Sequence, residues 1–306
     1  MDNQGTVLME VPACICRKCD PRQYPFDRHP HDHIDADTGI PCRLRYGSHE
    51  PLWLAETAIN FLARLTRPLP EAQADAVRAW YIWQRAERES LKLADLSQLP
   101  PEWLRAPFDI FNRLFFFGAI EHARFTWFRL LRSTKLPIGD CRVSVPCTDV
   151  LIRLDPVRYR DPGDEESDPP KWSATALAQS LLHEMVHAFL NQYSCVGGKP
   201  MSKHSVPGCE TEACMDLAVS NFGMSAHGRA WLLLAKAIEV EAIQHLAIVP
   251  DLGIGISIGL ELAHGGLHPS KHDFKIVADR QLVCQRGAVL DSAQHTVVPG
   301  QDIDEQ

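Results

Sequence analysis

Apolar residues recur at helical spacing in the part of the chain that follows residue 50. The pattern predicts one helix over residues 51–68 and a second over 71–93, separated by a proline-rich turn. A denser, phenylalanine-rich run over 107–117 predicts a third helix, which ends at Gly118, a residue typical of helix C-termini. We therefore expect a helical N-terminal region followed by a more apolar unit.

Three short segments come next in the chain, of which the first alternates imperfectly and the other two are rich in valine and isoleucine. Residues 125–131, 141–146 and 150–154 are predicted as strands because β-branched and aromatic residues suit a half-buried sheet. A strand at 150–154 that remained exposed could pair with the main chain of a substrate peptide.

The helical period returns after these strands. Ser173 is a suitable N-cap for a helix that runs to about Tyr193, and further helices are predicted over 210–219 and from Ala226 onward. The run 252–262, in which glycines interrupt apolar residues, is predicted as strand-like. Helices that flank a few short strands indicate an α+β fold.

These patterns divide the chain into four predicted segments. They are a flexible, Cys/His-containing arm at 1–50, a helical N-terminal region at 51–106, a main domain at 107–245, and a partly disordered C-terminal extension at 246–306.

Composition narrows the class of protein. The chain has 306 residues, of which 45% are hydrophobic and 23% charged, so it can bury a substantial core. Its formal net charge is -8, which does not favour a general nucleic-acid binder. Residues 1–30 lack the pattern of a secretory signal, and no apolar run reaches the roughly 20 residues that span a bilayer. We expect an intracellular protein without membrane partners.

The segment 180–190 carries the most specific chemistry. His183 and His187 are four residues apart, so on a helix their imidazoles lie on one face within reach of one metal ion. Glu184 lies beside the first histidine, where it can act as a general base without binding the metal. An apolar helix that buried these three side chains without a metal would be costly. The HExxH arrangement therefore predicts a catalytic zinc site.

A catalytic zinc needs a third protein ligand. The metzincin spacing fails, because Leu190 and Tyr193 stand where a glycine and a third histidine would be. His227, followed by a small residue at a predicted helix start, is the stronger candidate. Glu212 and His204 remain alternatives.

Two other groups of residues could bind a second zinc, although incidental Cys and His residues in loops are the simpler explanation of both. One is in the N-terminal arm and the other in the segment after the HExxH helix: Cys14, Cys16, Cys19, His29, His31, His33 and Cys42, and then Cys195, His204, Cys209 and Cys214.

Three motifs together resemble the SprT-like zinc metalloproteases of the Spartan and yeast weak-suppressor-of-smt3 type. They are the phenylalanine-rich run 108–118, the HExxH segment 182–189, and Ala-His-Gly-Arg-Ala-Trp at 226–231. The resemblance covers about Phe108 to His245. It implies a zincin-like fold with an HExxH helix, a third-ligand helix and a small β-sheet. No C-terminal zinc ribbon is evident in this chain.

The resemblance also implies roles for individual residues. His183, His187 and His227 would be the ligands of Zn²⁺, and Glu184 the catalytic base of a peptidase. The family's action on DNA-associated or DNA-crosslinked proteins implies a protein substrate, possible DNA as a partner, and the nucleus, with the cytoplasm as the alternative.

A contrasting hypothesis is an inactive zincin that binds nucleic acid or protein. Basic residues that cluster in sequence could contact phosphates, although such clusters are more often solvated faces: Arg124, Arg129, Arg132, Lys135 and Arg142.

Overall fold

A computed structural model describes residues 44, 46–47, 49–63, 65, 68–129, 139–144, 148–157, 172–194 and 221–264. Within these ranges the fold is mixed α+β, with six α-helices and three short strands. In chain order they are α1 (Pro51–Ala63), α2 (Glu71–Ala86), α3 (Arg105–Phe115), β1 (Ala123–Trp127), β2 (Gly139–Val143), β3 (Val150–Leu154), α4 (Ala174–Tyr193), α5 (Arg229–Leu246) and α6 (Ile254–Ala263). None of these helices is both long and apolar enough to cross a bilayer.

The first three helices form where the apolar period predicts them, but each ends a few residues before its predicted end. α2 ends at Ala86, and short 3₁₀ turns at Ser90–Lys92 and Leu96–Gln98 lead to Pro100. Gly118 adopts a positive φ of 78° just after α3 and donates its N–H to the Asn112 carbonyl at 2.9 Å. This is the left-handed turn expected of glycine after a helix C-terminus.

The three strands form one sheet in the order β1-β3-β2. β1 runs parallel to β3, whereas β2 runs antiparallel to it. The predicted strand at 150–154 is confirmed as β3, which is the central strand with partners on both sides. The hypothesis that a substrate peptide pairs with it is therefore wrong, because neither of its edges is open. Among the described strands, β1 and β2 are the edges.

The run 252–262 is helical rather than strand-like, which corrects a second prediction. Gly253 has a φ of 75°, and α6 begins at the next residue. The helix buries Ile254, Ser257 and Glu261, which recur at helical spacing. Its hydrophobic pattern is weak because two of these three buried positions are polar.

One hydrophobic core runs through the described residues, from Leu54 in α1 to Ile254 in α6. α1 packs against α5 and α4, and α2 packs against α3. The sheet packs on α4 through β2 and β3. The division into four segments remains a prediction, but the core includes residues from the last three of them.

Residues that the sequence analysis assigns to the flexible arm are packed against the fold. His49 and Glu50 are buried. The N–H of His49 donates to the Tyr193 carbonyl at the end of α4, and the Tyr46 ring stacks on the Tyr193 ring at 5.5 Å. The arm therefore ends before these residues, while residues 1–43 lie outside the described part of the chain.

Candidate metal centre

α4 places two of the candidate ligands. Ser173 caps the helix by accepting a hydrogen bond from the Ala176 N–H at 3.0 Å, as its position in the sequence predicts. Nearly every side chain from Leu177 to Tyr193 is buried, so the helix is enclosed by the sheet, α1 and α5. His183 and His187 project from one face of this buried helix.

The segment between residues 222 and 228 brings in the third histidine. Its chain reverses sharply, with positive φ at Gly223 (88°) and Ala226 (64°), and the Gly228 N–H donates to the Phe222 carbonyl at 2.9 Å. Gly223 and Gly228 touch each other, because a Cβ on either would lie 2.5 Å from the other's nitrogen. The two glycines thus allow the tight turn that presents His227.

The three imidazoles converge through the same ring atom. Nε2 of His187 lies 3.3 Å from Nε2 of His183 and 3.1 Å from Nε2 of His227, and the third side of the triangle is 3.3 Å. Within the described residues this is the one cluster of His, Cys, Asp and Glu atoms that could hold a metal ion. The structure therefore brings together all three histidines predicted as ligands.

Hydrogen bonds at Nδ1 determine which ring nitrogen carries the proton in His183 and in His227. Nδ1 of His183 lies 2.8 Å from the Leu252 carbonyl, which can only accept, so the ring donates from Nδ1. Nδ1 of His227 lies 3.0 Å from Ser225 Oγ, whose own hydroxyl donates to Glu261 at 2.6 Å. Both rings therefore present a lone pair at Nε2. Lone pairs that face one another at this distance repel unless a cation lies between them.

Burial keeps the imidazoles neutral. It lowers the pKa of His183 to about 4, and burial together with the neighbouring His183 lowers the pKa of His227 to about 3. Burial and both neighbouring imidazoles also hold the pKa of His187 well below its usual value. Neutral imidazole is the form that binds a metal ion, so the cluster is ready to bind one at neutral pH.

Trp231 forms one wall of the cluster. Its fully buried ring lies 4.8 Å from the His183 ring, 5.6 Å from His187 and 4.7 Å from His227, between ring centres. This indole excludes water from one side of the imidazoles, which strengthens the effect of burial on their pKa values.

Glu184 is 2% exposed and has an unusual environment for a carboxyl group. Burial raises its pKa well above the usual value, and the charge of Asp140 raises it further. Its Oε2 has no hydrogen-bond partner among the described residues. β2 approaches closely at Gly139, where a Cβ would lie 3.0 Å from Glu184 Oε1. The carboxyl group is thus a buried proton acceptor with one oxygen uncommitted.

Sequence reasoning missed several residues that hold this site. Trp231 belongs to the quoted third motif but received no role. Glu261 is the single carboxylate in the apolar run 252–262, and a lone charge in such a run is a signal that it is buried and paired. The contribution of Leu252 is a main-chain carbonyl, which no side-chain pattern can reveal.

Other predicted site residues lie outside the described part of the chain. These are the alternative ligands Glu212 and His204 and both predicted second zinc sites, at Cys14–Cys42 and Cys195–Cys214.

The structure separates the basic residues that cluster in sequence. Arg129 forms an ion pair with Asp95 at 2.5 Å, and Arg142 forms one with Asp140 at 3.5 Å. Arg124 and Arg142 are exposed and flank Leu151 in one row across the sheet. Arg132 and Lys135 lie outside the described residues.

Comparison of the chain with protein-family models, with curated proteins and with solved structures finds no match.

Proposed function

We propose that the protein is a zinc-dependent peptidase with a zincin-like fold of the SprT-like type. The observation that carries the proposal is the convergence of three neutral imidazoles, from α4 and from the loop before α5, beside the buried carboxyl group of Glu184. A site with a purely structural metal has no need of a general base.

The donor set fits zinc. Zinc–nitrogen distances of about 2.0–2.1 Å in a tetrahedron place ligand nitrogens about 3.3–3.4 Å apart, and the three Nε2 atoms are separated by 3.1–3.3 Å. Three protein ligands leave one position open, as in catalytic rather than structural sites. His183, His187 and His227 would hold the ion, which when bound supplies Lewis-acid activation of water and of a peptide carbonyl.

Glu184 supplies the proton transfer. Its carboxylate accepts a proton from the attacking water and then delivers that proton to the amine nitrogen that leaves when the C–N bond breaks. The raised pKa of the buried carboxyl group suits both steps, because a more basic carboxylate takes the proton readily and holds it until the leaving nitrogen accepts it.

The edge strand β2 is the proposed site for the main chain of the substrate. Gly139 brings this strand against Glu184, and among the described strands β2 pairs with β3 alone. An extended peptide added to this edge would lie beside the general base. Main-chain pairing recognises the backbone, so we propose tolerance of many substrate sequences.

Association with DNA is a second candidate function, favoured by the outer face of the sheet. Arg124 and Arg142 lie exposed in one row, with Arg142 also 3.5 Å from the Asp140 carboxylate. The exposed Phe128 ring lies 4.2 Å from the guanidinium of Arg153, which forms an ion pair with Asp140. Exposed arginines on the same face as an exposed aromatic ring suit the phosphates and stacked bases of a single strand. This surface would serve DNA-associated protein substrates, and the nucleus is the corresponding proposed location.

The Glu184→Gln variant tests the peptidase proposal. We expect it to retain stoichiometric zinc and to cleave an unfolded protein such as casein at least about 100-fold more slowly than the wild type, because the general base is lost. The exposed Glu102→Gln variant is the matched control and should keep full activity.

The same assay distinguishes the outcomes. Undiminished cleavage by Glu184→Gln, or a wild-type protein that binds no zinc, would overturn the peptidase proposal. Repeating the assay with single-stranded DNA, and with Arg124 and Arg142 both changed to alanine, separates DNA recruitment from the chemistry.

A further inference from the structure

We infer that Glu261, in the last described helix, is the positioning residue for the third metal ligand. The inference rests on the proposed metal site and extends it. It assigns to the C-terminal segment, beyond the predicted end of the main domain, the task of holding His227 at the correct distance from His183 and His187.

The carboxylate of Glu261 is the centre around which the His227 loop is folded. It is fully buried and accepts four hydrogen bonds from three loop residues. The Met224 N–H donates to Oε2 at 2.8 Å, whereas Oε1 accepts from the Ser225 N–H at 2.7 Å, the Ser225 hydroxyl at 2.6 Å and the His227 N–H at 2.8 Å. One side chain therefore satisfies three of the main-chain donors between residues 224 and 227, in a loop that has no regular structure of its own.

The loop is also shaped to admit this carboxylate. A Cβ at Gly223 would lie 2.4 Å from Glu261 Oε1, so any other residue at this position would displace the carboxylate. The positive φ of Gly223 and Ala226 turns the N–H groups of the loop inward, toward the same oxygen atoms.

Glu261 acts on the imidazole through two connections. Its bond to the His227 N–H fixes the backbone of the ligand, and its bond to the Ser225 hydroxyl orients that oxygen to accept from His227 Nδ1. A carboxylate that fixes the tautomer and the orientation of a ligand histidine increases metal affinity. Glu261 touches neither the imidazole nor the reacting atoms, so it is a positioning residue and not a catalytic one.

The turn before α6 also positions a second of the proposed ligands, His183. The Leu252 carbonyl accepts from His183 Nδ1, and the Leu252 N–H donates to the buried carboxylate of Glu239 in α5 at 2.9 Å. The far nitrogens of two of the three imidazoles thus depend on the segment 252–261.

The test measures zinc affinity and loop protection in the full chain. Zinc affinity is measured by competition with a chromophoric chelator, and Co²⁺ absorption reports the ligand geometry. We expect Glu261→Ala to weaken zinc binding about 10- to 100-fold and to alter the Co²⁺ spectrum. The zinc affinity of Glu261→Gln should fall between those of the wild type and Glu261→Ala. The amide oxygen of glutamine can replace one carboxylate oxygen, but its NH₂ group cannot accept a hydrogen bond. Glu241→Gln, which removes the carboxylate that pairs with His245 on α5, is the matched control.

Hydrogen exchange in the metal-free protein separates this inference from the peptidase proposal. We expect the amides of Met224, Ser225 and His227 to exchange faster in both Glu261 variants, because they lose their acceptor. If these amides exchange as in the wild type, or if Glu261→Ala binds zinc as tightly as the wild type, the inference is overturned. If the wild type binds no zinc while loop exchange still rises in the variants, the peptidase proposal fails and the positioning role stands.

Discussion

At the scale of single residues, the low pKa of His227 makes stability depend on pH. Its pKa is about 3 in the folded chain, whereas an unperturbed histidine has a pKa of about 6.5. Between these values the unfolded chain binds a proton at residue 227 that the folded chain does not bind. Acidification therefore favours unfolding in this window.

The first prediction compares the metal-free wild type with His227→Gln, which cannot bind that proton. From about pH 6 down to about pH 4, we expect the free energy of unfolding of the wild type to fall relative to the variant by up to about 1.4 kcal/mol per pH unit. Urea unfolding with a chelator present measures the difference.

A second variant checks the same reasoning. His183 has a folded pKa of about 4, so the corresponding difference for His183→Gln should level off about one pH unit above that for His227→Gln. A difference that stays constant across the whole range would show that these imidazoles are not kept neutral by burial.

Residues of this site differ in how far the sequence reveals them. Two histidines and a glutamate within five positions of one helix form a local pattern, which can be read without knowledge of the fold. His227 is 40 positions beyond His187 and could be ranked first only through its neighbours and the family resemblance. Glu261 and the Leu252 carbonyl depend on how α6 packs, so spacing alone could not predict their part in the site.

At the scale of elements, α6 shows why a hydrophobic pattern can predict the wrong structure. A helix with one buried face normally has apolar residues three and four positions apart. In α6 the buried positions are Ile254, Ser257 and Glu261, while Ile256 is 69% exposed. Glu261 faces the His227 loop and Ile256 faces outward, so the usual pattern is reversed at these two positions. The HExxH helix was predictable because nearly all of its surface is buried and apolar.

Asn112 provides a prediction for the connection between α3 and β1. Its side-chain amide donates to the Ile120 carbonyl at 2.9 Å and accepts from the Ile120 N–H at 3.0 Å, both within the core. We expect Asn112→Ala to lower the free energy of unfolding by about 2–4 kcal/mol, because it leaves a buried donor and acceptor unpaired.

Chemical denaturation measures the free energy of unfolding of Asn112→Ala, and Asn60→Ala is the matched control. Asn60 is exposed on α1, so this control should change stability by less than about 0.5 kcal/mol. Equal effects of the two substitutions would contradict the assigned role of Asn112 in holding the turn that leads into β1.

At the scale of the whole molecule, the site depends on segments at both ends of the described chain. Glu50, just before α1, accepts from the Trp53 N–H at 2.7 Å and from the Asn221 side-chain amide at 2.9 Å, beside the His227 loop. α1 then packs against α5, which begins two residues after His227. The predicted main domain at 107–245 contains the three histidines but not Glu50, α1 or Glu261, because sequence patterns reveal the histidines and not the residues that support them.

The last prediction compares two fragments. A fragment of residues 107–245 lacks α1, which packs on α5, and it lacks Trp80 of α2, whose ring lies 4.9 Å from that of Phe111. It also lacks the contacts of Leu252 with His183 and of Glu261 with His227. We expect it to expose core surface and to show no cooperative unfolding, because large apolar side chains lose their partners. A fragment of residues 44–264 retains all of these contacts and should unfold cooperatively and bind zinc as the full chain does. Thermal unfolding by circular dichroism and chelator competition measure both. If 107–245 unfolded cooperatively and bound zinc as tightly as the full chain, the supporting role of the two ends would be wrong.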